Sequence, residues 1–455
     1  MNSINKKYRF IKSAGWLFAL LFFCQSSSAQ LDYAVETELN GMLSTQQELP
    51  FWFYSNQRGR ISEETNFSGL LLARMDYRFN PDLQFEIGSG IFYQDAFNDK
   101  IFLDELYAQV NYKWLEFIIG RKQEIELYNG LSATNENFAW SLNARPMPGL
   151  QVQSSRPVYL GSQRRIGIEF SLEEYLMEKD RYVKDTRLHS KSLFLNYNFS
   201  NSWKLKLGLS HYAQWGGYSP DTGQQPESFA NYLKVFTGRE GGEDAIGGDK
   251  ANATGNHLGV YELYLTKEYA GFEVELIYNH FFEDGSGSRY ANFSDGRYGL
   301  YYKNRYSESF IEAIMYEFYY TKNQSKNGPH NYDAYFNHYL TYNSGWTYQN
   351  RVIGVPFFKF DSEDGKGVID DKFLAHHIGW KGEFSTFRGK RSDYKVKLSF
   401  LDYEHGADST KALYFLGELG LLKDPLQIRL NIGLDLTEGD SAVQGVGLRI
   451  SKQLL

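Results

Sequence analysis

Apolar and polar side chains alternate with a period of two along most of the chain after residue 30. Between Leu426 and Leu436, leucine and isoleucine alternate with glutamine, arginine, asparagine, glycine and aspartate. The same period recurs in the segments 83–87, 204–209, 272–276, 394–400 and 446–450. Side chains along a β-strand point to alternate faces, so each segment has one apolar and one polar face. The pattern predicts β-strands along the whole chain, and no segment has a clear helical period.

The predicted strands are longer than those of soluble proteins. They run to about 9–13 residues, nearer a tilted membrane strand than the roughly 5–6 residues of an ordinary strand. Short polar turns join them as hairpin partners at Asn80–Asp82, Ser200–Ser202 and Tyr269–Gly271. About 18 such strands fit into residues 30–455, and even counts of this size are typical of single-chain bacterial barrels. The sequence therefore predicts an all-β fold, a single transmembrane antiparallel β-barrel of about 18 strands.

The longer polar stretches predict the loops of this barrel. They are the segments 216–256, 283–296, 322–330 and 361–371. Outer-membrane barrels carry short turns on the periplasmic side and long loops outside, so these segments are predicted to be extracellular. A barrel of this size has a wide lumen, in which charged strand residues such as Glu273 and Lys395 can stay hydrated.

The start of the chain predicts export from the cytoplasm. Four cations within residues 6–12 precede an apolar run at residues 14–24. This run has about 11 residues, whereas a membrane-spanning helix needs roughly 20. Small residues then lead to Ala29, after which a signal peptidase would cut. We predict a signal peptide at residues 1–29 and a β-barrel at residues 30–455, located in the bacterial outer membrane.

The only cysteine of the chain, Cys24, lies within this leader. Lipoprotein acylation requires a small residue directly before the cysteine, and Phe23 is large. Cleavage after Ala29 removes the thiol. The mature chain is therefore predicted to lack disulfides, cysteine nucleophiles and cysteine metal ligands.

Composition supports a membrane barrel and excludes helical spans. Aromatic residues make up 17% of the chain, with 35 Tyr and 34 Phe, and such residues suit the girdles of a barrel at the membrane interface. Mean hydropathy is -0.49, and no apolar run after residue 30 reaches spanning length. A net charge of -7 argues against a nucleic-acid partner. Outer-membrane lipid is the expected partner, and the pattern favours no particular oligomeric state.

No motif in the sequence predicts catalysis, a cofactor or a metal site. Metalloprotease, nucleophile-elbow and phosphate-loop signatures are all missing. The acidic run Asp361–Asp371 resembles a calcium loop, but its glycine comes one place early and the closing glutamate is missing, so a solvated loop is favoured. His376 and His377 are neighbours on a predicted strand, point to opposite faces and cannot chelate one metal together.

Three stretches are more specific than a generic barrel strand. They are ELPFWFYSNQRGRIS from Glu48, NGLSATNENFAWSLNARPMPGLQV from Asn129, and DAYFNHYLTYNSGWTYQNRVIGVPFF from Asp333. Together they resemble the Wzi capsule-assembly family, with PFW near the mature N-terminus, NARPMP in the middle and GWTY followed by R, G and P later. The motif residues include Phe51, Trp52, Asn143, Arg145, Pro146, Trp346, Tyr348 and Arg351. The resemblance spans nearly the whole mature chain.

The resemblance implies an outer-membrane barrel of about 18 strands that attaches or organises capsular polysaccharide at the cell surface. It implies a lectin-like role and no enzyme activity. The chain departs from the family in one respect. Better-known members carry a small helical bundle before the barrel, at its periplasmic mouth, whereas strand-like sequence starts here at Leu31. We therefore expect no such bundle.

Candidate saccharide-binding residues lie in the long polar stretches. Aromatic faces stack on sugar C–H surfaces, and the arginine fork matches the carboxylates of acidic capsules. The candidates are Trp215, Tyr218, Arg239, Tyr290 and Arg297. The alternative for each is a membrane anchor or loop packing. The motif tryptophans Trp52 and Trp346 are predicted to be structural.

Two other functions fit the pattern. A porin that passes small solutes or oligosaccharides would use the charged lumen faces. An outer-membrane hydrolase would need a serine or other hydroxyl nucleophile beside a histidine at the rim, brought together across the barrel wall. The preferred hypothesis remains a barrel for capsular or other surface polysaccharide.

Overall fold

The computed structural model describes most of the chain. The described residues are 30–97, 99–241, 253–306, 308–325, 335–337, 341–360, 367–385 and 389–455. The predicted signal peptide, residues 1–29, lies outside them.

Nineteen strands form one antiparallel sheet. They are β1 (Gln30–Ser44), β2 (Phe67–Asn80), β3 (Leu83–Gln94), β4 (Ile101–Tyr112), β5 (Leu115–Arg121), β6 (Gly149–Ser154), β7 (Val158–Leu160), β8 (Ile166–Leu176), β9 (Arg187–Asn198), β10 (Trp203–Trp215), β11 (Asn256–Glu268), β12 (Phe272–Phe282), β13 (Gly296–Asn304), β14 (Ala313–Tyr320), β15 (Phe373–Ser385), β16 (Arg391–His405), β17 (Asp408–Leu422), β18 (Gln427–Thr437) and β19 (Val443–Gln453).

The sheet closes on itself as a barrel. β1 pairs with β2 on one side and with β19 on the other. β6 and β7 pair one after the other with β8, so they occupy one place in the ring. The ring thus has 18 places, the nineteen strands less one. The predicted all-β barrel of about 18 antiparallel strands is confirmed.

Side chains alternate between the lumen and the outer surface. On β10, Tyr212 and Gln214 are buried and hydrogen-bonded to residues within the lumen, whereas Leu207 and Leu209 are exposed outside. The outer surface carries further exposed apolar residues, including Leu193, Leu276, Leu300, Ile432 and Leu448. Because the ring is closed, backbone polar groups pair between strands and need no solvent, as a lipid environment requires.

The two ends of the barrel differ. The predicted turns at 80–82, 200–202 and 269–271 all lie at one end, together with the start of β1 and the end of β19. The long connections lie at the other end, at 45–66, 122–148, 177–186, 216–255, 283–295 and 321–372. In outer-membrane barrels the long loops face the cell exterior. We therefore refer to this end as the outer mouth.

The described residues form two α-helices, α1 (Phe51–Tyr54) and α2 (Phe229–Thr237). No helical period was recognised in the sequence, so α2 was not predicted. This helix begins after Ser228, whose side chain accepts from Asn231 N, and ends at Gly238, which has a φ of 61°. Serine at the start and glycine at the end are ordinary helix caps. Short 3-10 turns occur at Tyr128–Gly130 and Gly287–Arg289. Among the described residues, no helix has both the length and the apolarity needed to cross a membrane.

Candidate functional site

The three sequence motifs meet inside the barrel. Residues 49–61 follow β1, residues 128–147 follow β5 and residues 346–358 follow β14, and most of their side chains are buried. We call these segments together the lumen plug. All three connect strands at the outer mouth, so they fold inward from that end. They supply much of the hydrophobic core, which lies within the lumen.

Trp52, in α1, anchors the first plug segment to the barrel wall. Its side chain is 1% exposed, and its Nε1 donates to Ser399 Oγ on β16 at 3.2 Å. His377 on β15 contacts the same hydroxyl through Nδ1 at 2.8 Å, and its Nε2 lies 2.8 Å from the Leu131 carbonyl oxygen. A carbonyl only accepts, so a neutral His377 donates from Nε2 and accepts from Ser399 at Nδ1. Ser399 thus holds the first plug segment at Trp52. His377 beside it holds the second segment at Leu131.

Backbone carbonyls join the second and third plug segments. Trp346 is fully buried, and its Nε1 donates to the carbonyl of Ala139 at 2.7 Å. The Asn143 side chain donates to the carbonyl of Val352 at 3.0 Å. A buried donor must find an acceptor to offset its lost hydration, so each of these side chains requires its partner segment in place. The two motif residues are therefore structural in this fold.

The first and second segments are joined by similar contacts. The Asn56 side chain donates to the carbonyl of Ala133 at 2.5 Å, and Arg145 Nε donates to the carbonyl of Gly59 at 3.1 Å. The Arg145 guanidinium also lies 3.5 Å from the centre of the Phe102 ring. Burial lowers the pKa of Arg145 to about 10. Arg145 thus uses its guanidinium for contacts within the protein, a cation–π contact with Phe102 and a hydrogen bond to the Gly59 carbonyl.

Three further motif residues complete the plug surface. Phe51 stacks on Tyr414 of β17 with ring centres 4.3 Å apart. Tyr348 is 2% exposed and belongs to a two-stranded hairpin with Arg351. Pro146, next to Arg145, is half-buried.

An ion pair on the neighbouring strands β13 and β14 also holds the plug to the wall. Arg297 on β13 and Glu317 on β14 are both fully buried, with Nη2 and Oε1 2.7 Å apart. Arg297 Nη1 also donates to the carbonyl of Glu136 at 2.9 Å. The Glu317 carboxylate accepts from Ser132 Oγ at 2.8 Å and from Ala133 N at 2.7 Å. The expectation that Arg297 lies on a loop was wrong, because it is a strand residue with every contact inside the lumen.

Above the plug, a cavity of about 520 Å³ lies at the outer mouth. We call it the outer cleft. Its aromatic lining residues are Phe51, Tyr54, Phe97, Phe358, Phe360 and Tyr414. Its polar lining residues include Glu48, Glu63, Asn143, Gln349, Asn350, Arg351, Lys359 and Asp440. Aromatic rings beside amides and one arginine are the groups that bind apolar sugar faces and sugar hydroxyls.

Arg351 is held in a fixed orientation at the cleft. Its Nη1 lies 3.2 Å from Glu63 Oε1, and its Nη2 donates to the carbonyl of Ile61 at 3.2 Å. Its guanidinium carbon is 4.9 Å from the centre of the Tyr54 ring. Burial raises the pKa of Tyr54, so this phenol stays neutral and remains a hydrogen-bond donor. A planar guanidinium held in this way suits a carboxylate ligand.

A second cavity, of about 390 Å³, lies on the other side of the plug. We call it the inner cavity. Its lining includes the carboxylates Glu124, Glu136, Glu169, Glu173, Glu262 and Glu275. Burial and then the neighbouring carboxylates raise the pKa of Glu124 to about 7, and the same causes raise the pKa of Glu136. Within the described residues, no three His, Cys, Asp or Glu side chains are arranged to hold a metal ion.

The structure does not bring the five loop candidates together. Trp215 is 4% exposed and lies on the outer wall beneath α2, 5.4 Å from Tyr232 between ring centres. Tyr218 is exposed on a small hairpin, and Arg239 is exposed after α2. Tyr290 stacks on an outward-facing histidine of β12, with ring centres 4.3 Å apart. Arg297 lies inside the lumen, so these residues occupy separate surfaces.

Two other sequence expectations concern histidines and acids. His376 is exposed and its Nδ1 lies 2.9 Å from Tyr316 Oη, whereas His377 is fully buried in the lumen. The prediction that the two point to opposite faces is confirmed. Most of the acidic run at 361–371 lies outside the described residues, which resume at Gly367.

Several cleft residues were not found from the sequence. Phe358 directly ends the third motif stretch, and Phe360 follows two places later, so proximity to a motif was an available signal. Tyr414 is one of many strand tyrosines, and only the register of β17 against the plug places it in the cleft. Asn350 and Gln349 are adjacent turn residues with positive φ values of 59° and 52°.

Comparison with solved structures supports the barrel architecture. The outer-membrane protein Wzi of Escherichia coli, described as a carbohydrate-binding β-barrel involved in group 1 capsule assembly, superposes with a TM-score of 0.57 at 14% identity. That match covers 91% of this chain and 83% of the other. OccK5 of Pseudomonas aeruginosa gives a TM-score of 0.51 at 11% identity, covering 93% and 98%. At these identities the likeness is one of fold.

The family is shown by sequence. No curated protein gives a significant match to the chain. The family model for the capsule assembly protein Wzi matches residues 40–364, which contain all three plug segments and most of the outer cleft. The match covers well over half of the chain. The protein is thus an outer-membrane β-barrel that belongs to the Wzi capsule assembly family.

Proposed function

We propose that the outer cleft binds capsular or other surface polysaccharide and so helps to hold it at the cell surface. The observation that best supports this proposal is the combination of a filled lumen and an open cleft above it, both built from the same motif segments. A plug made of buried, mutually bonded segments serves as the floor of a binding surface. The family and the Escherichia coli Wzi barrel, described as carbohydrate-binding, support this proposal.

Although carboxylates outnumber cations in its lining, the cleft offers Arg351 and Lys359 to the carboxylates of an acidic polysaccharide. Phe360 and Tyr54 offer ring faces for sugar C–H surfaces, and Asn350 offers an amide for hydroxyl groups. Arg351 offers its fork to a uronate or similar carboxylate. Because Glu63 already forms an ion pair with this guanidinium, a ligand carboxylate would compete with Glu63 for Arg351. The proposed role is binding without bond cleavage and involves no nucleic acid.

A porin is the second candidate. The charged inner cavity favours it, since strands β8 to β12 line that space with carboxylates and lysines. The plug argues against it, because residues 128–147 cross the lumen. Ser132 donates to Glu317 on β14. Arg145 lies over the Phe102 ring on β4, which is on the opposite side of the ring of strands. Conductance of the purified barrel separates the two candidates.

Deleting the gene tests the proposed function in the cell. We expect capsule synthesis to continue while the ratio of cell-bound to shed polysaccharide falls, because the surface binder is lost. Polysaccharide in washed cells and in culture supernatant is the measurement. Restoring the wild-type gene should restore the ratio, while the Phe360→Ala variant should restore it only in part. An unchanged ratio in the deletion strain would count decisively against the proposal.

A further inference from the structure

Helix α2 lies on the outside of the barrel wall. Tyr212 faces the lumen, so its neighbour Ala213 and then Trp215 point outward from β10. Both are nearly fully buried because Val235 of α2, itself fully buried, packs against them. The Tyr232 ring also packs against Trp215, with the two ring planes tilted by 45°. The long connection between β10 and β11 therefore sends its helix down the outer surface and not over the mouth.

The helix covers polar groups on that surface. Glu174, His189 and Lys191 point outward from β8 and β9. Tyr232 Oη donates to Glu174 Oε1 at 2.7 Å, and Lys191 Nζ donates to the carbonyl of Phe236. His189 Nδ1 lies 2.6 Å from Glu174 Oε1. Charged groups facing lipid destabilise a barrel, and the helix shields these from lipid.

The apolar residues of α2 are placed differently from those of a helix at a water surface. Its polar contacts face the protein, and its free face carries Phe229 and Leu233, which are 74% and 48% exposed. These residues are four positions apart and so lie on one face of the helix. A helix that borders water presents a polar face to it. Besides Ala230 and Thr237, whose hydroxyl donates to the Leu233 carbonyl, these apolar residues make up the free face of α2. The face continues the exposed leucines of the wall, such as Leu193 and Leu209.

The height of α2 on the wall matches the outer edge of the membrane. Trp203, exposed beside the short turn at 199–202, marks the aromatic girdle at the opposite end. A strand rises roughly 3.3 Å per residue and tilts by about 40°, so Ala213 lies roughly 25 Å above Trp203 along the barrel axis. The apolar band of such barrels is about 25 Å tall. The contact of α2 with Ala213 therefore falls where acyl chains meet headgroups.

We propose that α2 is a membrane-embedded amphipathic helix, with Phe229 and Leu233 inserted among the acyl chains of the outer leaflet. The lipid partner follows from the continuity of this face with the lipid-facing wall. The helix completes the lipid-facing surface where β8 and β9 would otherwise present charged groups. This role is independent of the polysaccharide function of the outer cleft.

Site-directed spin labelling tests this placement in the full chain. Cys24 is the only cysteine, so single labels can be introduced at Phe229→Cys and Leu233→Cys in a Cys24→Ser background. Leu193→Cys on the wall serves as the lipid-facing control, and Ala407→Cys in the exposed turn after β16 as the water-facing control. Folding of each variant is checked by its migration on unheated SDS gels.

In lipid bilayers, labels at 229 and 233 should be more accessible to oxygen than to a water-soluble nickel chelate, as at Leu193. The ratio should be several-fold higher than at Ala407. Nickel accessibility equal to that at Ala407 at both helix positions would overturn the proposal. Two labelled positions keep the test open if one variant fails to fold.

Discussion

At the scale of single residues, some charged side chains of this barrel stabilise the fold and do not bind a ligand. Arg297 was expected to bind saccharide, but it lies fully buried against Glu317 and contacts two plug residues. Removing one member of a buried ion pair leaves an unpaired charge in a medium that solvates it poorly. The pair therefore makes the position of the plug depend on two wall residues.

Replacing Arg297 with methionine should destabilise the folded barrel by about 3–5 kcal/mol, because Glu317 then stays buried without its cation. Denaturant unfolding in detergent, followed by tryptophan fluorescence, measures the change. Arg391→Ala breaks a pair with Glu308 in which both side chains are roughly half exposed, and it should cost less than about 1 kcal/mol. Equal losses in the two variants would contradict the anchoring role.

Glu124 should make stability depend on pH. Burial raises its pKa to about 7 in the folded state, while an unfolded glutamate titrates near 4.3. The folded state thus binds the proton more tightly than the unfolded state. Glu124 therefore contributes fully to the free energy of unfolding below about pH 4.3, and this contribution is lost as the pH rises through about 7. Glu124→Gln should flatten this part of the stability profile, measured as the unfolding midpoint at several pH values. The exposed Glu64→Gln variant should leave the slope unchanged.

Some of these residues could be found from the sequence and others could not. Trp52 and Trp346 lie in motif stretches, and their structural role follows from the burial and hydrogen bonding now seen. Arg297 and Tyr414 stand in ordinary alternating strands. Their places in the folded barrel depend on strand register and on which loop fills the lumen beside them. The local pattern of apolar and polar residues predicts neither.

At the scale of elements, the strands were predictable and the loop structures were not. Alternation of faces sets each strand independently of its neighbours, so β10 and β18 were predicted from their own residues. The helix α2 has only nine residues, and its apolar face is stabilised by the wall and by the proposed lipid contact. The plug segments lack any regular period, and their structure depends on contacts with one another.

Removing the second plug segment should open the lumen. Gly120 and Gly149 are paired across β5 and β6, so a short glycine–serine turn can replace residues 122–148 without straining the hairpin. In planar bilayers we expect little conductance from the unmodified protein and a large, stable conductance from this variant. A large open pore in the unmodified protein would favour the porin and contradict the occluding role of the plug.

At the scale of the whole molecule, the chain is a closed membrane barrel whose interior is divided by its own loops. The outer cleft opens to the cell exterior, and the inner cavity lies towards the short-turn end. This division follows from the long connections all lying at one mouth. The barrel class and the family were predicted from the sequence and are confirmed, whereas the signal peptide at residues 1–29 stays a prediction.

Direct binding of the host's isolated polysaccharide to the purified barrel tests the central claim. We predict saturable binding, weakened at least about tenfold by Arg351→Lys and by Phe360→Ala. Arg351→Lys removes the guanidinium fork; a charge-assisted hydrogen bond contributes about 1.5–3 kcal/mol, and each tenfold step in affinity is about 1.4 kcal/mol. Phe360→Ala removes the ring face proposed for sugar C–H surfaces. Tyr218→Ala and Tyr290→Ala, which alter exposed tyrosines away from the cleft, should bind as wild type. Unchanged affinity in both cleft variants, or no binding by the wild-type barrel, would contradict the account.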